Sequence, residues 1–156
     1  MAEDTNQKYV TFRVGNEVYG IDIMLVHSIV DYEDVRSIPN APGYIEGLYN
    51  LRGEVIPVIN LHLRFQIPMA ETSDKDALDG IIIIDINHFK VGLVVDSVLK
   101  IIEIDKNAIQ QSSAAQDKIG NAYVAGVYID TSDYIVILEA EKIFAPKEWQ
   151  RISEIG

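Results

Sequence analysis

Short runs in which apolar and polar residues alternate, rich in β-branched and aromatic side chains, recur along most of the chain. That period of two is the signature of strands with one face in a core. Residues 9–14 alternate and stop at Gly15-Asn16, a hairpin-turn pair, and residues 18–23 form the answering strand. Residues 24–30 fit either a further strand or one helical turn. Residues 39–43, with Pro39, Pro42 and Gly43, are a loop. Residues 44–50 and 54–61 then predict a strand pair about a tight turn at Leu51-Arg52-Gly53. Residues 69–79 are charged and polar and read as a connecting loop. Beyond it come predicted strands at 80–86, 90–96 and 98–104, a polar loop at 109–121, and a last strand pair at 123–129 and 134–140. Only residues 141–155 have clear helical spacing. Ile143, Phe144, Trp149, Ile152 and Ile155 share one apolar face there, with Pro146 kinking or restarting the helix.

The pattern after residue 80 repeats the pattern before it. With Gly20 placed on Gly92, an offset of 72, Val10, Phe12 and Val14 fall on Ile82, Ile84 and Ile86, and Ile29-Val30 fall on Ile101-Ile102. With Gly47 placed on Gly126, an offset of 79, Tyr44-Ile45 fall on Tyr123-Val124, Val58 on Ile137 and Phe65 on Phe144 without a gap. The longer polar loop before Tyr123 absorbs the difference between the offsets. A glycine inside a strand marks a bulge or tight bend. Paired glycines therefore imply the same bends in both halves, which small barrels need in order to close. Two long matched segments in the same order predict two similar small β-barrels in tandem.

Composition narrows the function classes. A chain of 156 residues that is 48% hydrophobic can build a core without a disulfide or metal staple. There is no cysteine, which removes disulfides, thiolate metal sites and cysteine nucleophiles and fits a reducing cytoplasm. The net charge of −11 repels phosphates and anionic headgroups, so no nucleic acid is expected as a partner. The longest apolar run, residues 81–84, is far too short to span a bilayer, and residues 1–8 lack the regions of a signal peptide. Direct membrane insertion is not expected. His27, His62 and His88 are scattered without metal-ligand spacing and read as ordinary surface or part-buried histidines. No glycine-rich phosphate loop or nucleophile elbow is present. Asp74-Lys75-Asp76 reads as a solvated loop, Asp130 and Asp133 as turn residues, and Tyr44, Tyr49, Tyr123 and Tyr128 as packing. No cofactor, metal or catalytic residue is therefore expected. The halves differ at one hairpin tip, Asn50-Leu51-Arg52-Gly53 against Ile129-Asp130-Thr131-Ser132. Taken alone, Arg52 reads as an exposed turn residue.

The run Asn40-Ala41-Pro42-Gly43-Tyr44-Ile45-Glu46-Gly47-Leu48-Tyr49-Asn50-Leu51-Arg52-Gly53, followed by Val55-Ile56-Pro57-Val58-Ile59-Asn60-Leu61, closely resembles the CheW family of bacterial chemotaxis adaptors. Tyr19-Gly20-Ile21-Asp22-Ile23, Val26 and Val91-Gly92-Leu93-Val94-Val95-Asp96 match it too, so the resemblance runs from about Tyr9 to about Phe144. It implies a mainly β fold: two tandem five-stranded SH3-like barrels around a shared hydrophobic core, with a C-terminal helix. One domain over 9–145 would hold two barrel subdomains, about 9–68 and 80–145, with exchange of strands between them left open. Residues 69–79 would connect them, and 146–156 would be a helical tail.

The resemblance also implies a function without chemistry. Such an adaptor couples the cytoplasmic tips of methyl-accepting chemoreceptors to the regulatory domain of the histidine kinase CheA, so that receptor signals control autophosphorylation. It is cytoplasmic and reaches receptor arrays at the inner face of the membrane through those partners. A contrasting class, a small β-barrel ligand-binding protein or enzyme with a site between the barrels, needs convergent polar groups that the mainly aliphatic strands do not supply. Carried over by the resemblance, the partner-binding positions are Arg52, with Asn50 and Gly53 beside it, together with Val26 and Gly47. Ser28 departs from the family, which commonly has a glutamate there.

Overall fold

The computed structural model describes residues 5–33, 35–65, 80–86, 88–110, 123–130 and 133–155. The expected connecting loop 69–79 with Asp74-Lys75-Asp76, the polar residues 111–122, and the hairpin-tip residues Thr131 and Ser132 lie outside the described residues. The described strands are β1 (Asn6–Val14), β2 (Glu17–Asp22), β3 (Val26–Asp31), β4 (Ile45–Leu51) and β5 (Glu54–Asn60). After them come β6 (Gly80–Ile86), β7 (Phe89–Val95), β8 (Ser97–Asp105), β9 (Val124–Asp130) and β10 (Asp133–Leu138). Two α-helices are found among the described residues, α1 (Leu61–Phe65) and α2 (Pro146–Ile155). Residues 24–30, readable as strand or turn, are both: a 3-10 turn over Ile23–Leu25, whose Met24 N–H donates to Asp22 Oδ1 at 2.9 Å, runs into β3.

The sheets run β8-β1-β2-β10-β9 and β3-β6-β7-β5-β4. Under the duplication β6 to β10 are the second copies of β1 to β5, so these are one strand order with the halves interchanged. Each sheet is an SH3-like barrel of five strands that takes a hairpin from one half of the chain and three strands from the other. Neither barrel is therefore a continuous stretch such as 9–68 or 80–145. The exchange accounts for the unbroken apolar run in β6. Ile81 and Ile83 pack with Ile56, Val58 and Val94 inside one barrel. Ile82, Ile84 and Ile86 face the central layer with Phe12, Tyr19, Phe65 and Leu93. A strand buried on both faces loses its period of two. The other barrel has its own interior cluster of Tyr9, Ile104, Ile135 and Ile137.

The paired glycines occupy equivalent places in the register. Gly20 pairs in parallel with Ile137 and Gly92 with Val58, themselves equivalent positions. A Cβ on Gly92 would lie 2.7 Å from Ile81 Cγ2, so close packing at that crossing requires glycine.

Aromatic contacts run through the central layer. Phe12, Tyr19, Phe65 and Tyr123 follow one another at centroid spacings of 5.9, 5.7 and 4.8 Å. The Arg64 guanidinium lies 5.5 Å from the Tyr123 ring centre and 4.9 Å from that of Phe144, and its Nε donates to the Ile143 carbonyl at 2.9 Å. This ties α1 to the end of the chain. Helix α2 starts at Pro146, where a missing N–H costs nothing, and Ala145 N–H donates to Glu148 Oε1 at 3.0 Å as a cap. Trp149 packs edge-on against Phe89 and Phe144, and Ile152 is buried.

One buried polar contact joins the barrels. Asp96, after β7, accepts the Gly15 N–H of the β1–β2 turn through Oδ2 at 2.7 Å, and its Oδ1 lies 2.7 Å from His62 Nε2 on α1. Its own N–H donates to the Arg13 carbonyl at 2.9 Å. His62, which reads from sequence as an ordinary histidine, is buried and paired here. Asp96→Ala removes two acceptors from a buried joint and is expected to lower stability by about 3 kcal/mol. Urea unfolding measures this, and a loss below about 1 kcal/mol would mean that packing alone holds the barrels together.

Candidate functional site

The site is built on the β4–β5 hairpin. Leu51 pairs with Glu54, which leaves Arg52 and Gly53 as the whole turn. Both have positive φ, 52° and 91°. A two-residue hairpin turn with positive φ at both positions is of type I′, whose backbone twist matches that of the strands. Asn50 Oδ1 accepts the Gly53 N–H at 2.7 Å and closes it. Glycine suits the second turn position. Arginine does not suit the first, because its Cβ crowds the backbone in the left-handed region at a cost of about 1 kcal/mol that asparagine or glycine would largely avoid. The side chain so held is exposed.

A second segment is laid along the hairpin. Arg36 N–H donates to the Leu48 carbonyl at 2.9 Å, and Leu48 N–H donates back to the Arg36 carbonyl at 2.8 Å. This one-residue bridge covers the free edge of β4. Gly47 is what permits it: a Cβ there would sit 2.2 Å from the Arg36 carbonyl oxygen. The second half repeats the device with Gln110 bridged to Val127 beside Gly126, whose Cβ would lie 2.7 Å from the Gln110 carbonyl oxygen. The approach to the strap is braced by Glu46, which accepts from the Tyr32 hydroxyl at 2.7 Å and from Asn60 Nδ2 at 3.0 Å. Burial, and then the bond to the Glu46 carboxylate, push the Tyr32 hydroxyl up to about 12.

Strap and hairpin enclose an open concavity of about 660 Å³, lined by Arg36, Leu48, Tyr49, Asn50, Arg52, Gly53 and Val55. Among the described residues, neither guanidinium has an ion-pair partner. In a chain of net charge −11, two unpaired cations beside the apolar Leu48 and Val55 make a surface suited to an acidic, part-apolar protein segment. Among the described residues no group of three potential metal ligands occurs, and no helix is long and apolar enough to cross a membrane.

A family model described as a CheW-like domain matches residues 8–148. The chain belongs to this family. It is 39% identical over 153 residues to the chemotaxis protein CheW of Treponema pallidum, covering 97% of this chain and 90% of that one. It is 28% identical over 154 residues to the chemotaxis protein CheW of Klebsiella aerogenes, covering 99% and 91%. The crystal structure of the scaffolding protein TtCheW from Thermoanaerobacter tengcongensis superposes with a TM-score of 0.80 at 36% identity, covering 92% of this chain and 90% of that one. CheW-like chains are adaptors and scaffolds of chemotaxis rather than enzymes, and this chain is one of them.

Of the five positions singled out by the CheW resemblance, the structure brings Asn50, Arg52 and Gly53 together at the rim of one concavity. Asn50 spends its carbonyl on the turn. Gly47 is buried beneath the strap, where it sets the place of Arg36. Val26 lies apart. It is half-buried at the start of β3, pairs with Ile84, and packs against the central core at the opposite edge of the same sheet. Ser28 is next to it along β3, with Oγ 3.2 Å from His27 Nδ1.

Arg36 escapes sequence reading because it falls in the stretch between the two offsets. Only the bridge to Leu48 shows that Gln110 is its counterpart. Two stability outcomes follow from this CheW-like hairpin. Arg52→Asn relieves the left-handed arginine and is expected to raise stability by about 1 kcal/mol in thermal or urea unfolding. Gly47→Ala drives a methyl into the strap and is expected to cost about 3 kcal/mol, with no change there meaning that the strap is not held against β4.

Proposed function

We propose that this CheW-like chain couples the cytoplasmic tips of methyl-accepting chemoreceptors to the regulatory domain of a CheA histidine kinase, so that receptor state controls autophosphorylation. It works in the cytoplasm and reaches the inner face of the membrane through those partners. Arg52 is the receptor-contacting anchor. The observation that carries this reading is an exposed arginine, without an ion pair among the described residues, held in a left-handed turn, which folding by itself would fill better with asparagine or glycine. A side chain kept against local preference points to a contact outside the chain. A guanidinium offers a fixed fork of donors to a carboxylate or carbonyl, and arginine is enriched among the few residues that carry most of the binding energy at interfaces.

Arg52→Ala is expected to keep the wild-type melting temperature and to weaken binding to a receptor cytoplasmic fragment by more than about tenfold. Arg52→Lys should restore binding only in part, since an ammonium cannot reproduce the fork. Calorimetry and thermal melting on the same preparations test this. Unchanged receptor affinity would reduce Arg52 to a turn residue, and a large loss of stability would make it structural.

A further inference from the structure

The barrels share one scaffold but carry different side chains at equivalent strap positions: Arg36 on β4, Gln110 on β9. We propose that Arg36 is a second partner-contacting cation, and that Arg36 and Arg52 together receive a receptor segment bearing two carboxylates on either side of an apolar side chain. The proposal rests on the reading of Arg52 as the receptor anchor and adds the partner's chemistry.

The geometry points to this in three ways. Arg36 is placed by backbone alone. Its two hydrogen bonds to Leu48 use its N–H and C=O, and the side chain is left exposed. It stands level with Leu48, four positions along the hairpin from Arg52, on the order of 13 Å at about 3.3 Å per residue. The cations thus mark the two ends of one concavity, with Leu48, Asn50 and Val55 also lining it. Val55 keeps 47% of its surface exposed, an apolar floor without cover. Two like charges bordering one site, each without an ion pair among the described residues, make the local potential positive in an acidic chain. That potential favours an acidic segment over a basic or neutral one.

Arg36 is exposed, so its contribution is expected mainly in the association rate and its salt dependence. The test uses Arg36→Gln, which keeps the bridging backbone and installs the residue of the equivalent strap position. Its binding to a purified chemoreceptor cytoplasmic fragment, and to a CheA regulatory domain, is measured by stopped-flow and calorimetry at low and high salt. The expected result is an unchanged melting temperature and about fivefold weaker receptor binding at low salt, mostly through slower association. The difference should vanish near 0.5 M salt, where the screening length is on the order of 4 Å. Kinase binding should be unchanged, and Arg36→Glu should weaken receptor binding further. Wild-type receptor binding by Arg36→Gln, while Arg52→Ala binds weakly, overturns the second cation and leaves the Arg52 reading standing. Unweakened binding by Arg52→Ala overturns the reading on which both depend. A lowered melting temperature for Arg36→Gln makes the residue a strap anchor and overturns the proposal, as does a loss confined to the kinase domain.

Discussion

Each barrel is completed by strands from the opposite half of the chain, and the rest of the architecture depends on that exchange. The β1–β2 hairpin is flanked by β8 and β10, and the β6–β7 hairpin by β3 and β5. Each hairpin consequently buries one face in its own barrel and the other in the layer between barrels. Ile81 and Ile83 do the first, Ile82 and Ile84 the second. Removing one half would uncover four strand edges and both faces of a hairpin at once. That cost is apolar area returned to water together with unpaired backbone groups, and it makes the two barrels a single cooperative unit. The Asp96 carboxylate, which ties the β1–β2 turn to His62, adds a directional contact to this joint.

A duplicated scaffold frees its repeated surface positions to diverge. Gly47 and Gly126 keep the same role, since each lets a bridging residue lie against an edge strand where a Cβ would collide. The bridging residues themselves, Arg36 and Gln110, are under no such constraint, because only their backbones are used. The hairpin tips diverge likewise, Arg52-Gly53 against Thr131-Ser132. The cations Arg36 and Arg52 therefore have uncharged equivalents, Gln110 and Thr131, in the other half. Two point changes on equivalent loops thus make the two halves differ at the surface without altering the core.

Much of this was legible in the chain, and the misses have definite causes. The strands, the two glycine pairs and the turn at Arg52 follow from alternation and turn chemistry, which are local. The helix α1 did not, because five residues are too few to show a period. The burial of His62 did not, because its partner Asp96 comes from a distant strand. Val26 and Arg52 belong to one motif set in the sequence, yet they lie at opposite edges of one sheet.

By itself, then, the sequence determined the strand inventory, the duplication and the tight turn at Arg52, since each is written in the pattern of residue types along the chain. The tertiary structure alone decided which half completes which barrel, because β1 and β6 offer similar apolar faces to β3 and β8 and local pattern does not distinguish the pairings. It also decided that Arg36 shares a concavity with Arg52. That meeting depends on a backbone bridge across an edge strand, and a bridge made by N–H and C=O leaves no mark on side-chain identity.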